Sequence, residues 1–244
     1  MLKFLTNLRI VRKLARRSVK RRIKRMILRS RPTREVFSQI YLTNYWGDAE
    51  TASGNGSRLA STEVFRAEIE SFLHGEGVRT LFDAPCGDFN WMKHVKFPDG
   101  MRYIGADIVK ELIESLREDY KNVDSTSFMV IDIINDPHPR SDIWLCRDGL
   151  FHFSFADIFS TLDRFVSSGT PACLLTTHTH ISHNTDIRTG FFRPLNLLEA
   201  PFRLPKPATT LRDSPLREME RSVGWWRNEE IAEALRRARQ AGAT

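Results

Sequence analysis

A mostly parallel α/β sheet with helices on both faces, preceded by a basic helical arm, is the fold class that this 244-residue sequence predicts. Two patterns carry that expectation. From residue 77 onward, short apolar runs alternate with amphipathic stretches, the pattern of strands joined by crossover helices. Ahead of them, residues 1–34 hold 14 of the 37 Lys and Arg and none of the 30 Asp and Glu. A chain of this length buries one α/β core with an appendage rather than two full domains. We therefore divide it into an arm at 1–34 and one domain at 35–244, in which 35–62 form an N-terminal extension or lid and 178–215 a substrate-side flap.

Along the arm, Leu5, Leu8, Val11, Ala15, Val19, Ile23 and Met26 recur at three or four residues, which predicts an amphipathic helix closed by Pro32. Arg12 and Arg22 interrupt its apolar stripe. Residues 41–62 are rich in Gly, Ser, Thr and Asn and read as a loop, after which Thr62 starts a helix over 62–74. Strands are expected at 78–83, 102–107, 127–132, 142–147 and 172–177, with helices near 110–120 and 154–167. The segment 178–215 is too long and Pro-rich for an ordinary connection. A strand near 208–212 pairs with 221–227, and a helix over 229–240 ends the pattern. Right-handed crossovers put the carboxyl ends of the five strands on one edge, where open α/β sheets bind ligands.

The formal charge of +7 belongs to the arm, because the other 210 residues carry 23 Lys and Arg against 30 acids, a net of −7. A basic balance therefore says nothing of a cationic catalytic surface. Cys86, Cys146 and Cys173 form no CxxC pair, which fits a reducing compartment. No apolar run is long enough for a spanning helix or a secretory signal, so the expected location is cytoplasmic. The arm's basic face and apolar stripe suit peripheral attachment to an anionic membrane, a partner helix, or an organelle presequence.

The first strand ends in LFDAPCGDFNWM and the second in YIGADI, and Asp107 lies 24 residues after Asp83. That spacing is roughly what a nucleotide-binding βαβ unit uses to bring a carboxylate to two ribose hydroxyls. A dinucleotide needs open backbone donors around its phosphates. Here the turn offers Pro85, which has no N–H, and bulky Phe89. The turn suits a ligand without phosphates, such as S-adenosylmethionine, whose ammonium would favour Asp83 and Asp88 nearby.

The motifs DAPCGDFNWM, YIGADIV and LCRDGLFHFS resemble the successive cofactor motifs of Rossmann-like class I S-adenosylmethionine-dependent methyltransferases. With NYWG, SGNGS and TGFFRPLNL, they are most similar to a largely uncharacterised bacterial subfamily, over roughly residues 40 to 228. The resemblance implies that Asp83, Ala84, Pro85 and Gly87 form the turn beneath the methionine part. It implies that Asp107 and Ile108 hold the ribose, that Asp132 and Ile133 edge the adenine, and that Arg147 and Asp148 face the sulfonium and substrate. The common family turn has two further glycines that this chain lacks.

Each candidate also has a structural reading. Asp83, Asp107 and Asp132 could cap the helix or turn after their strands, and Asp148 could be a satisfied structural carboxylate. His152 sits among aromatics, where packing competes with a role as general base, a role for which Asp148 would orient its ring. His178, His180 and His183 form HTHxxH but lack an acidic or cysteine partner at a recognised spacing, so no metal is expected. Trp46, Arg193 and Asn196 are the substrate-binding candidates, the last two on the flap, where an Arg fork could equally staple the loop.

The expected function is methyl transfer to an oxygen or nitrogen of a small-molecule or carbohydrate-like acceptor, with S-adenosyl-L-methionine as cofactor. An RNA methyltransferase and a noncatalytic, membrane-associated scaffold of the same shape are the rival readings.

Overall fold

The computed structural model describes residues 18–29, 31–213 and 220–242. Five strands run parallel in register: β1 (Thr80–Asp83), β2 (Arg102–Asp107), β3 (Thr126–Val130), β4 (Ile143–Cys146) and β5 (Ala172–Thr177). An antiparallel pair, β6 (Thr209–Arg212) and β7 (Ser222–Arg227), adds to the β5 edge and gives a sheet order of 3-2-1-4-5-7-6. The order reverses between the paired strands β1 and β4, so the connections that leave them in opposite directions open a crevice at their carboxyl ends.

Each sheet face buries alternate residues, as the period of two requires. Phe82, Trp144, Cys173, Leu175 and Trp226 face α5 (Phe155–Ser168) and α6 (Asn228–Gln240). Leu81, Tyr103, Leu145, Leu174 and Val223 face α3 (Glu63–Gly75) and α4 (Lys110–Asp119). The flap has almost no regular structure but is ordered by burial of Leu195, Leu197, Phe202 and Leu204. Cys86, Cys146 and Cys173 are buried free thiols.

Two elements depart from the sequence expectation. The segment before the lid loop forms a helix, α2 (Thr33–Leu42), whose N-cap is Pro32. Residues 18–28, α1, form a second helix packed against it. Ile23 and Ile27 are 0% and 3% exposed and cluster with Val36 and Ile40. The apolar stripe expected to face a partner or a bilayer is thus, from Val19 onward, turned inward onto the domain, and a boundary at residue 34 would split a packed pair. Leu5, Leu8, Val11 and Ala15 lie outside the described residues. The basic side remains outward: Lys20, Arg21, Arg22, Lys24, Arg25, Arg29 and Arg31 are exposed.

Candidate functional site

A cavity of about 420 Å³ opens at the carboxyl ends of β1, β2 and β4, within the range of small-molecule and cofactor sites. It gathers Trp46, Asp83, Pro85, Gly87, Asp107, Ile108, Asp132, Ile133, Arg147, Asp148 and His152, candidates that the sequence places in five separate segments. Ala84 is not on the wall. It is fully buried behind the turn, where its carbonyl accepts from the Trp144 indole at 3.0 Å.

The turn after β1 leaves little for a phosphate. The N–H groups of Ala84, Cys86 and Gly87 donate to Leu145 O, Ala106 O and Asp107 Oδ2, that of Asp88 donates to Ser53 Oγ, and Pro85 has none. Gly87 stands at φ +55°, and a Cβ there would meet Ser53 Oγ at 2.3 Å, so a side chain would push Ser53 off its bond with Asp88 N. Asp88 does not face the cavity as a free acid. Its carboxylate accepts from Thr51 Oγ1, Ala52 N and Ser53 Oγ, and so clasps the lid segment 51–57 over the turn.

The carboxylates at the ends of β1 and β2 remain available to a ligand. Asp107 accepts one backbone N–H on each oxygen, Val109 N on Oδ1 at 3.0 Å and Gly87 N on Oδ2 at 3.2 Å, which orients the group and leaves a lone pair on each oxygen. Burial raises its pKa to about 6 against those donors. Asp83 accepts from the Tyr103 hydroxyl at 2.6 Å, and burial raises it to about 7 although the Tyr103 bond and Arg147 oppose the shift. Asp132 accepts from Ile134 N and Asn135 Nδ2, so its carboxylate also caps the turn after β3.

Past β4 the wall changes character. Arg147 Nη2 and Nε bond Asp213 at 2.8 and 3.1 Å, Arg221 Nε bonds Asp213 at 2.8 Å, and both guanidinium groups reach Asp148 Oδ2, at 3.3 and 3.1 Å. Burial pushes the Asp213 carboxyl up, but Arg147 and Arg221 outweigh it and hold the group below the usual carboxylate range. Arg147 also donates to Gly56 O at 2.9 Å and lies over the Phe65 and Trp91 rings, tying the lid to the sheet. A Cβ on Gly56 would come within 2.8 Å of Asp148 Oδ2.

His152 closes a short 3-10 turn, Leu150–His152, beside Trp46, Phe151 and Phe192. Its Nδ1 bonds the Phe191 carbonyl at 2.8 Å. A carbonyl only accepts, so Nδ1 carries the proton and Nε2 the lone pair. Burial lowers the pKa and keeps the ring neutral. The carbonyl of Phe191, rather than Asp148, orients this imidazole, because Asp148 is held by the two arginines. Arg193 and Asn196 are absent from the cavity wall. Arg193 donates to Thr185 O and Leu150 O, and Asn196 bonds Ile181 O and Leu198 N, so both staple the flap.

The HTHxxH histidines diverge: His178 faces the cavity, His180 bonds Glu220 O and His183 bonds Ser182 Oγ. No cluster of three metal-ligating side chains occurs among the described residues. Asp213, Arg221, Ser53 and a cavity-facing His178 were missed by the sequence reading. Asp213 and Arg221 sit in the charge-mixed run LRDSPLREMERS, which reads as surface, and no local signal marks them as buried.

Neither a family model nor a curated protein sequence matches this chain. Its fold is similar to magnesium protoporphyrin IX methyltransferase from Synechocystis, solved with bound SAH, at a TM-score of 0.56 and 13% identity over 80% of this chain and 97% of that one. It is also similar to the N-methyltransferase NodS from Bradyrhizobium japonicum, in complex with S-adenosylhomocysteine, at 0.55 and 10% over 78% and 98%. A third is 1,6-didemethyltoxoflavin-N1-methyltransferase from Burkholderia thailandensis, at 0.52 and 17% over 80% and 86%. The α/β fold, with its seven-stranded, mostly parallel sheet flanked by helices, is the Rossmann-like fold of class I methyltransferases.

Proposed function

We propose that this chain is an S-adenosylmethionine-dependent methyltransferase acting on an oxygen or nitrogen of a small-molecule acceptor. One observation carries the reading. At the switch point of the sheet, every N–H in the Ala84–Asp88 stretch of the β1 turn is already spent, while two carboxylates, Asp83 and Asp107, keep lone pairs toward the cavity. That donor set fits an adenosine ligand with hydroxyls and an ammonium, and does not fit a dinucleotide phosphate. The likeness of the chain's motifs to a bacterial methyltransferase subfamily belongs to the same reading.

When bound, S-adenosylmethionine supplies a methyl group on a sulfonium, which needs no further activation. Asp107 would accept from the ribose hydroxyls, Asp83 and the Pro85–Gly87 turn would hold the amino-acid end, and Asp132 with Ile133 would border the adenine. The lid segment clasped by Asp88 excludes water from the cavity. His152 Nε2 takes the proton of an acceptor hydroxyl, and the aromatic wall with Trp46 positions the acceptor, so proximity does most of the work. Lining acids outnumber lining cations, which disfavours RNA as acceptor. The seven exposed cations of residues 20–31, met among the described residues by one weak acid contact, Arg31 to Glu35 at 3.9 Å, suit an anionic membrane surface bound by charge.

The test is calorimetry of the full chain with S-adenosylhomocysteine. Asp107→Ala should lose about 1.5–3 kcal/mol of charge-assisted hydrogen bonding, roughly 10- to 150-fold in affinity, without unfolding. His152→Ala should keep that affinity and lower single-turnover methylation by about 100-fold or more. A folded Asp107→Ala protein with unchanged affinity would sink the assignment.

A further inference from the structure

The cavity's acceptor side has a composition that selects among small molecules. Its charged lining residues are Asp83, Asp107, Asp132 and Asp148 against Arg147 and Arg221. Both arginines are bound to carboxylates, Arg147 and Arg221 each to Asp213 and Asp148. Arg193 lies off the wall in the flap, and Arg34, exposed and also off the wall, donates to the Ile108 carbonyl at 3.2 Å. Among the described lining residues no cation is left to receive a phosphate or carboxylate, and a negative ligand would meet net negative charge.

Beyond those charges the wall carries the rings of Phe37, Tyr41, Trp46, Phe151 and Phe192, with neutral polar side chains at Thr33 and, on the lid, at Ser53, Asn55 and Ser57. Two imidazoles interrupt it, both beside Phe151, with ring centroids 4.6 Å away for His152 and 5.6 Å for His178. Their tautomers are set by the backbone and are opposite. His152 donates from Nδ1 to the Phe191 carbonyl, so its Nε2 is an acceptor. At His178 the Leu195 N–H donates to Nδ1 at 3.2 Å, and a proton on Nδ1 would set two N–H groups against each other; the Leu195 carbonyl, 3.3 Å from the same nitrogen, accepts from the His178 backbone N–H at 2.8 Å. With Nδ1 as acceptor, the His178 proton sits on Nε2 and makes that atom a donor. Neither Nε2 bonds a described residue. Burial lowers both pKa values, that of His178 to about 4, so both rings are neutral in ordinary buffer.

We propose that the acceptor is an uncharged, planar aromatic hydroxyl compound with a second oxygen, whose reacting hydroxyl donates to His152 Nε2 while the second oxygen accepts from His178 Nε2–H. The proposal rests on the methyltransferase reading and adds the acceptor's chemical class and His178 as an acceptor-binding residue. Fixed donor and acceptor in an apolar slot discriminate strongly, because a ligand lacking either group leaves a buried polar atom unpaired. A sugar, with hydroxyls all round, would leave most of its own groups unpaired against these rings, and a phosphate ester would meet no cation.

The full chain, saturated with S-adenosylhomocysteine, is titrated by calorimetry with a naphthalenediol bearing adjacent hydroxyls, a naphthol, a naphthyl phosphate and a methyl glucoside. The diol should bind about 10-fold more tightly than the naphthol, the equivalent of one hydrogen bond, and the phosphate and glucoside should not bind measurably. His178→Phe should abolish the preference for diol over naphthol while leaving naphthol and S-adenosylhomocysteine affinities unchanged. His178→Gln, whose amide can still donate, should retain part of the preference. Equal affinity for diol and naphthol, tighter binding of the phosphate or glucoside, or a His178→Phe protein weakened equally toward both would overturn the proposal. Failure of S-adenosylhomocysteine to bind would count against the cofactor reading alone, and the aromatic probes, titrated into the unliganded chain, would still decide this one.

Discussion

Asp83 and Asp107 are carboxylates held in an apolar setting at strand ends, and their protonation links the site to stability. In the fold Asp83 keeps its proton up to about pH 7, whereas the unfolded chain releases it near about 4. Over that window the fold binds more protons, so this group makes stability fall as pH rises toward 7. His178 acts in the opposite sense: unfolded it charges below about 6.5, but in the fold only near pH 4, so it costs stability as pH falls through that range. His152 and His138, also lowered by burial, oppose Asp83 together with His178 as the unfolded chain begins to take up protons, so the Asp83 contribution is read as a difference between two proteins. From about pH 8 down to about 6.5 the melting temperature of the ligand-free protein should gain relative to that of Asp83→Asn. Parallel profiles would mean that Asp83 ionises normally. At this scale the sequence was informative about residue type and spacing. It could not reveal that Tyr103 donates to Asp83 or that Phe191 rather than Asp148 orients His152, because these partners lie 20 and 39 residues away.

Among the elements, the core strands and helices were legible because their periodicity is local. The β2 and β5 spans coincide with the expected 102–107 and 172–177, and α3, α4, α5 and α6 fall within a residue or two of expectation. The arm was legible as a helix but not in its docking. Its stripe is amphipathic whether it meets lipid, a partner or its own domain, and the choice was made by α2, which supplies Val36 and Ile40 opposite Ile23 and Ile27. Removing a buried isoleucine side chain costs about 2 kcal/mol or more. Ile23→Ala should therefore raise the undocked population of α1 roughly 30-fold, seen as faster amide exchange in residues 18–28 with the sheet amides unchanged. Equal exchange in the two proteins would show that this contact carries no weight.

Across the whole molecule, the ring of Arg147, Asp213, Arg221 and Asp148 joins the ends of β4, β6 and β7, and through Gly56 it reaches the lid. Deleting one member leaves the others buried and uncompensated, a cost of about 3–5 kcal/mol. Asp213→Ala, which leaves Arg147 and Arg221 with Asp148 as their one shared counter-charge, should lose that much in denaturant unfolding and weaken S-adenosylhomocysteine binding by loosening the lid. A loss below about 1 kcal/mol would indicate that water already screens the ring.

The sequence by itself determined the sheet, its helices, the cavity edge and most of the side chains along it, because strand and helix periods and strand-end carboxylates are properties of short windows. Tertiary structure alone decided which charges are free. Arg193 and Asn196 looked available on the flap and are spent on its backbone, Asp88 looked available beside the turn and is spent on the lid, and Arg147 is spent on an aspartate 66 residues away. A polar side chain's availability depends on which distant donor or acceptor folding brings within about 3 Å of it, and spacing along the chain does not encode that distance.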